Sequence, residues 1–220
     1  MSYETHIKTY DSEGRIKMKI YNRSNWMSLI SEEEGKKSLC RFSIPGTHNS
    51  GTEKTIKGGV AHCQNFSIQQ QLLDGIRFLD IRLKNDGENL QLYHGSENCH
   101  VNFDTVLKWC RQFLEENPTE TILMSVKQEE SGVLIPNLNA HIQKYLYLFV
   151  KDENNEVASE IPTLNSARGK IVLFSQIKNL KGVSWNIDCV EDNYEISFTQ
   201  EKINCVEAAL DMAIGDAYKN

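Results

Sequence analysis

No stretch of this 220-residue chain is apolar for long enough to cross a bilayer. The longest apolar run, at residues 145–150, falls well short of the roughly 20 residues that a spanning helix needs. The N-terminus, MSYETHIKTYDSEGRIKMK, lacks the apolar centre of a secretory signal, so a soluble or peripheral protein is expected. The six cysteines, Cys40, Cys63, Cys99, Cys110, Cys189 and Cys205, include no CxxC pair. That spacing excludes a compact zinc site and makes most of them expected buried thiols. There is no excess of basic residues either: 24 Lys and Arg stand against 30 Asp and Glu, for a net charge of −6. Without a basic field no nucleic acid is expected as a partner, and an anionic ligand must be held by a local cluster of Arg and Lys. No internal repeat or low-complexity segment occurs, and nothing implies an obligate protein partner.

What remains is enough chain for one substantial core. Residues 1–25 read as an arm or extension, either flexible or a short hairpin centred on Ser12-Glu13-Gly14, and residues 26–220 as one domain. Within it, β-rich runs at 41–44, 76–83, 90–93, 121–127 and 170–175, with a weaker one at 183–187, alternate with helical stretches. Ser67 and Gln70 form a capping box, Ile68 and Leu72 share a face, and Gly75 ends that helix. Asn102 caps a second helix with the stripe Phe103, Val106, Leu107, Cys110 and Leu114, stopped by Pro118. A third is expected over 138–149, and a fourth carries Ile203, Val206, Leu210 and Ile214 before Gly215. Parallel strands joined by crossover helices fit either a doubly wound sheet or a TIM-type barrel.

Three strand ends carry reactive side chains. SIPGTHNSGT, at 43–52, presents His48 from a polar loop after a short strand, which is where a barrel places its catalytic groups. In GIRFLDIRL, Asp80 and Arg82 lie two residues apart and so share one face; charges in a sheet covered on both sides need partners or a polar cavity. The third strand ends in LYHG and brings His94 to the rim of His48.

SIPGTHNSGT, GIRFLDIRL, LYHG and NPTETILMSVKQE, in that order, resemble the X-domain family of phosphatidylinositol-specific phospholipases C, in its bacterial, metal-independent form. The segment CQNFSIQQQLLDGIRFLDIR is similar also to trypanosomal relatives that cleave glycosylphosphatidylinositol. The resemblance implies an α/β fold, a TIM-type barrel, irregular or incomplete here with about six strands. It implies cleavage of phosphatidylinositol, free or glycosylated, to diacylglycerol and cyclic inositol 1,2-phosphate. His48 would be the base, His94 the acid, Arg82 the phosphate ligand, and Asp80 the residue that orients them. Lys127, Arg168 and Asp192 would bind inositol hydroxyls, with Tyr194 stacked on the ring. A lipid surface would be the partner, with no cofactor or metal, because Arg82 and Lys127 stand where calcium-dependent members place acidic ligands.

Two features depart from that pattern. Asn49 stands where bacterial members carry Asp directly after the first histidine, and an amide cannot relay a proton as a carboxylate does. Family barrels also continue for about two strands beyond the equivalent of Asn220, so the barrel reads as truncated. The alternatives are an inositol-headgroup binding module with weakened turnover and a calcium-dependent phosphodiesterase of the same fold.

Overall fold

The computed structural model describes residues 4–10, 15–85, 90–129, 135, 138–184 and 198–219. The chain divides into two compact units, Met1–Ser184 and Trp185–Asn220. The first opens with an antiparallel hairpin of β1 (Glu4–Tyr10) and β2 (Ile16–Asn22), with Tyr10 opposite Ile16. The hairpin reading of the N-terminal arm therefore holds, and its turn, residues 11–14, lies outside the described residues. A 3-10 stretch, Arg23–Leu29, and helix α1 (Glu32–Gly35) lead to the main sheet.

Among the described residues, seven strands make up that sheet: β3 (Gly46–Thr47), β4 (Phe78–Asn85), β5 (Leu90–His94), β6 (Glu97–Asn102), β7 (Ile122–Gln128), β8 (Ile171–Ser175) and β9 (Val183–Ser184). β3, β4, β7, β8 and β9 are parallel neighbours in that order. β5 and β6 form an antiparallel ribbon on β4. Helices α2 (Ile68–Leu73), α3 (Phe103–Glu116), α4 (Leu138–Lys144) and α5 (Leu164–Ala167) fill the connections. Parallel strands with helical crossovers, not closed among the described residues, form an incomplete TIM-type barrel.

Capping and periodicity explain the helices. Ser67 Oγ accepts from the N–H of Gln70, while the Gln70 amide donates to Asp74 instead of returning to the cap. Gly75, at φ +102°, takes the left-handed turn that glycine adopts without steric cost. Asn102 Oδ1 accepts from Thr105 N at 2.8 Å, and the expected stripe of α3 is buried together with Phe113. That stripe packs with Leu79, Ile81, Leu83, Met124, Val126 and Leu173 on the outer face of the sheet, where each fully buried aliphatic side chain contributes about 1.5–3 kcal/mol. The inner face carries Phe78, Leu123 and Val172, which pack against Met27, Leu39 and Leu164.

At the N-terminal ends of the strands, Arg77 and Glu120 form an ion pair at 2.8 Å with both side chains 0% exposed. Arg77 also donates to the carbonyls of Leu72, Ile76 and Ser24. Burial lowers its pKa, and the charge and hydrogen bonds of Glu120 oppose that.

Several expectations change. Residues 41–44 do not form a strand: Leu39–Arg41 is a 3-10 turn, and pairing with β4 begins only at Gly46. The third strand runs antiparallel rather than parallel, and β6 was not anticipated. The third helix stops at Lys144 and continues as a 3-10 turn over Leu146–Leu148. In the second unit, α6 (Thr199–Lys219) runs through Gly215, with Ile203, Val206 and Leu210 exposed. Among the described residues no helix is long and apolar enough to cross a membrane.

Of the five described cysteines, all free thiols, only Cys99 and Cys110 are buried; Cys40 is exposed, and Cys63 and Cys205 lie between. Burial pushes both Cys99 and Cys110 up to about 12, so at pH 8 each stays a neutral, unreactive thiol. Iodoacetamide at pH 8 is expected to leave these two unmodified in the folded protein and to reach them in urea, as read by peptide mass mapping. Rapid alkylation of either one without denaturant would contradict this packing.

Candidate active site

The inner face changes character along the strands. Leu123, paired with Phe78, belongs to the apolar layer, whereas two and four residues on Asp80 pairs with Ser125 and Arg82 with Lys127. Thus the C-terminal ends of the parallel strands form a polar rim over an apolar floor, which is where barrels carry their sites.

His48 follows β3 in a loop held from three directions. Ser50 N donates to Asp80 O at 3.0 Å, Asn49 N to Asp80 Oδ2 at 2.9 Å, and Gln64 Nε2 to His48 O at 2.6 Å. Buried Gln71, on α2, donates to Ser50 O and Phe66 O and accepts from Thr47 Oγ1. Asn49 sits at φ +46°, a left-handed conformation that asparagine tolerates better than most residues. Gly51 fits because a Cβ there would lie 2.3 Å from Leu92 Cδ2. The His48 ring, 61% exposed, has Nδ1 3.5 Å from Asp80 Oδ2.

The hydrogen-bond partners constrain the tautomers. His94 Nδ1 lies 3.0 Å from the carbonyl oxygen of Ala61; a carbonyl only accepts, so Nδ1 carries a proton and Nε2 is the nitrogen left for proton exchange. For His48, Nδ1 is 3.3 Å from Arg82 Nη2 and Nε2 is 2.8 Å from Asn49 Nδ2. Arginine only donates, and a neutral imidazole cannot accept at both nitrogens. Asn49 Oδ1 is meanwhile buried with no hydrogen-bond partner among the described residues. Turning the amide over would place Oδ1 on an Nε2–H of His48, with Nδ1 then the unprotonated nitrogen, 3.3 Å from Arg82 Nη2 and 3.5 Å from Asp80 Oδ2.

Arg82 is held from two sides. Its Nε and Nη2 donate to Asp80 Oδ2 at 3.1 and 3.0 Å, and its Nη1 faces Glu129 Oε2 at 3.8 Å. The two imidazoles stand edge to face, 6.4 Å between centroids. His94 reaches this point because β5 runs back along β4, Leu92 opposite Leu83, so its end comes level with the middle of that strand. The sequence placed the two histidines together correctly but through the wrong strand direction.

His48, Asn49, Asp80, Arg82, His94 and Lys127 are thus brought to one rim. Arg168 is not: it precedes β8 and lies at the opposite ends of the strands. Its guanidinium donates to the carbonyls of Met27, Thr119 and Ile30, so its charge and geometry are committed to fastening the N-terminal segment. The residue just past the end of β8 is Gln176, whose amide donates to Ser125 Oγ at 3.1 Å. Asp192 and Tyr194 lie outside the described residues. Sequence reasoning missed Gln64, Gln71, Cys63 and Glu129. Cys63 Sγ is 3.8 Å from both His94 Nδ1 and Asn49 Nδ2.

Two imidazoles flanking a guanidinium on the C-terminal rim of a parallel, barrel-type sheet are equipped for proton transfer around an anionic group. Comparison gives the family: the description phosphatidylinositol-specific phospholipase C, X domain, matches residues 36–177, and the chain belongs to it. It is 35% identical over 158 residues to the 1-phosphatidylinositol phosphodiesterase of Listeria monocytogenes, covering 69% of this chain and 48% of that one. It is 28% identical over 219 residues to the enzyme of the same name from Staphylococcus aureus strain Newman, covering 89% and 64%. The solved structure of the Listeria phosphatidylinositol-specific phospholipase C aligns with a TM-score of 0.63 at 32% identity, covering 76% of this chain and 61% of that one. The chain therefore spans about half to two thirds of the length of these relatives.

Proposed function

We propose that the region beginning at residue 26 cleaves phosphatidylinositol, free or glycosylated, without a metal ion. The inositol 2-hydroxyl attacks the adjacent phosphorus while His48 Nδ1 takes its proton. The phosphorus–oxygen bond to diacylglycerol breaks, its electron pair goes to the leaving oxygen, and Nε2 of protonated His94 supplies the proton. Diacylglycerol and cyclic inositol 1,2-phosphate result. Because the nucleophile is tethered beside its target, the protein has only to move protons and hold charge.

The observation that carries this reading is the guanidinium of Arg82, fixed by Asp80 on one edge and 3.3 Å from His48 Nδ1. With Lys127 paired beside it, it puts fixed positive charge where the phosphate would gain negative charge. A lipid surface as partner is supported by the loop that supplies the Ala61 carbonyl to His94. Ile56, Val60 and Phe66 are 73%, 100% and 59% exposed there, alongside exposed Lys54 and Lys57. Asp192 and Tyr194 remain part of the proposed inositol contact by family likeness.

The test is Arg82→Ala on phosphatidylinositol vesicles with excess chelator. A fall in kcat of about 10²–10³ is expected, the usual cost of removing one donor to the developing charge. Wild-type turnover by the variant, or activity that calcium alone restores, rejects the metal-free reading. Retained inositol-phosphate binding with no turnover by the wild-type chain would instead identify a binding module.

A further inference from the structure

We infer that the protein carries a second, non-catalytic cavity for a phosphate group, that of an anionic lipid headgroup, on the β5–β6 ribbon beside the first turn of α3; the inference rests on the lipid-surface reading above. The two strands do not pair evenly. Gln91 stands opposite Asn102 and Tyr93 opposite Asn98, so a step of two residues along β5 answers a step of four along β6. That is a bulge, the device by which a strand opens a gap and re-aims a side chain. His100 lies within it at φ +56°, its N–H donating to Asn98 Oδ1 at 2.7 Å. A cavity of about 360 Å³ opens there, and its lining includes Gln91 and His100, then Asn102, Thr105 and Trp109 from the start of α3, and Lys54 from the loop after His48.

The lining is made of donors. The side chains of Gln91, His100, Thr105, Trp109 and Lys54 make no hydrogen bond among the described residues, and Asn102 commits its oxygen to the N–H of Thr105, which leaves its NH₂. An ammonium and an indole N–H can only donate, and the start of a 14-residue helix adds partial positive charge. Among the described residues no carboxylate lines the cavity. Glu97 and Asp104, the acidic residues of β6 and of the first turn of α3, are engaged elsewhere: Glu97 accepts from the N–H of Ile56, and Asp104 faces His141 and Lys144. In a chain of net charge −6, a donor-rich cavity without acid selects a group that only accepts, and a phosphate does so with charge. Its place selects the source. Ile56 and Val60, 73% and 100% exposed, closely follow Lys54, and the bond from Ile56 to Glu97 ties their loop to the same ribbon. A loop that meets the acyl layer therefore brings the cavity to the headgroups.

Sedimentation of the full chain with phosphatidylcholine vesicles, with and without phosphatidylglycerol, tests this without any turnover. Gln91→Leu and Thr105→Val remove donors and leave the net charge alone. Each is expected to weaken binding to the phosphatidylglycerol vesicles by about 10-fold, the cost of a hydrogen bond to a charged group, and to leave the weaker binding to pure phosphatidylcholine as it was. Lys54→Gln is expected to cost several-fold more than Lys57→Gln, the same charge change made outside the cavity. Equal effects of the two lysine variants, or unimpaired binding by Gln91→Leu and Thr105→Val, overturn the inference in favour of diffuse charge attraction. Inorganic phosphate titrated into the chain, read at the indole N–H resonance of Trp109, separates the two sources of phosphate. A shift of that resonance beside vesicle binding that the variants leave unaltered would assign the cavity to free phosphate and overturn the lipid source. Wild type that binds neither kind of vesicle defeats the lipid-surface reading itself, whereas binding that ignores the cavity variants defeats the cavity alone.

Discussion

Replacing either His48 or His94 by alanine is expected to lower kcat on phosphatidylinositol by about 10²–10⁴, the range for loss of a positioned general base or acid. The two variants should fail differently. His94→Ala removes the proton donor for the leaving oxygen and is expected to recover much of its loss on a p-nitrophenyl leaving group, which departs without protonation. His48→Ala removes the base for the 2-hydroxyl, which both substrates need, and should recover little. The wild-type rate should follow a bell in pH, because a general base must be neutral while a general acid is charged. A rate flat from pH 5 to 8, or either variant turning over within a few-fold of wild type, is incompatible with an acid–base pair.

The second large effect is on stability, at the other end of the strands. Glu120→Ala is expected to cost about 3–5 kcal/mol, the penalty for leaving a buried charge without its partner. Arg77 cannot escape to water, because its guanidinium is fixed to Leu72, Ile76 and Ser24 carbonyls and lies 4.5 Å from the Phe113 ring centroid. Glu120 also accepts from Met27 N, so the loss should loosen the Arg23–Leu29 segment as well. Urea unfolding at pH 7 measures it; a midpoint shift worth less than 1 kcal/mol would show that the pair is replaceable.

The same two ends of the sheet explain what was legible in the sequence. Alternation in FLDIRL and the apolar run of ILMSV, together with the caps at Ser67 and Asn102, are local signals, and the strands and helices they mark lie where expected within about two residues. β6 was missed because in ENCHVN only Cys99 and Val101 are buried, too weak an alternation beside four polar residues, although Gly95-Ser96 is a hairpin cue. Residues 41–44 look like a strand because Phe42 and Ile44 join the core, yet their backbone leaves a 3-10 turn and has no strand to pair with until Gly46.

The site divides in the same way. His48, His94, Asp80 and Arg82 stand at strand ends or on a shared face, which a period of two reveals. Gln71, Gln64 and Glu129 act through contacts made only when distant segments meet, 24 residues from Thr47 to Gln71 and 34 from Gly95 to Glu129. Arg168 failed for a related reason. Its position before rather than after the strand puts it on the floor side, and only a strand boundary correct to a residue or two separates those ends.

The most direct test of the central proposal is phosphorus NMR of phosphatidylinositol vesicles incubated with the chain in excess chelator. The signal of the diester lipid is expected to be replaced first by that of cyclic inositol 1,2-phosphate, at a rate that added calcium does not change. An acyclic inositol phosphate as the first product, or a lipid signal that persists until calcium is supplied, would contradict metal-free catalysis by His48, His94 and Arg82.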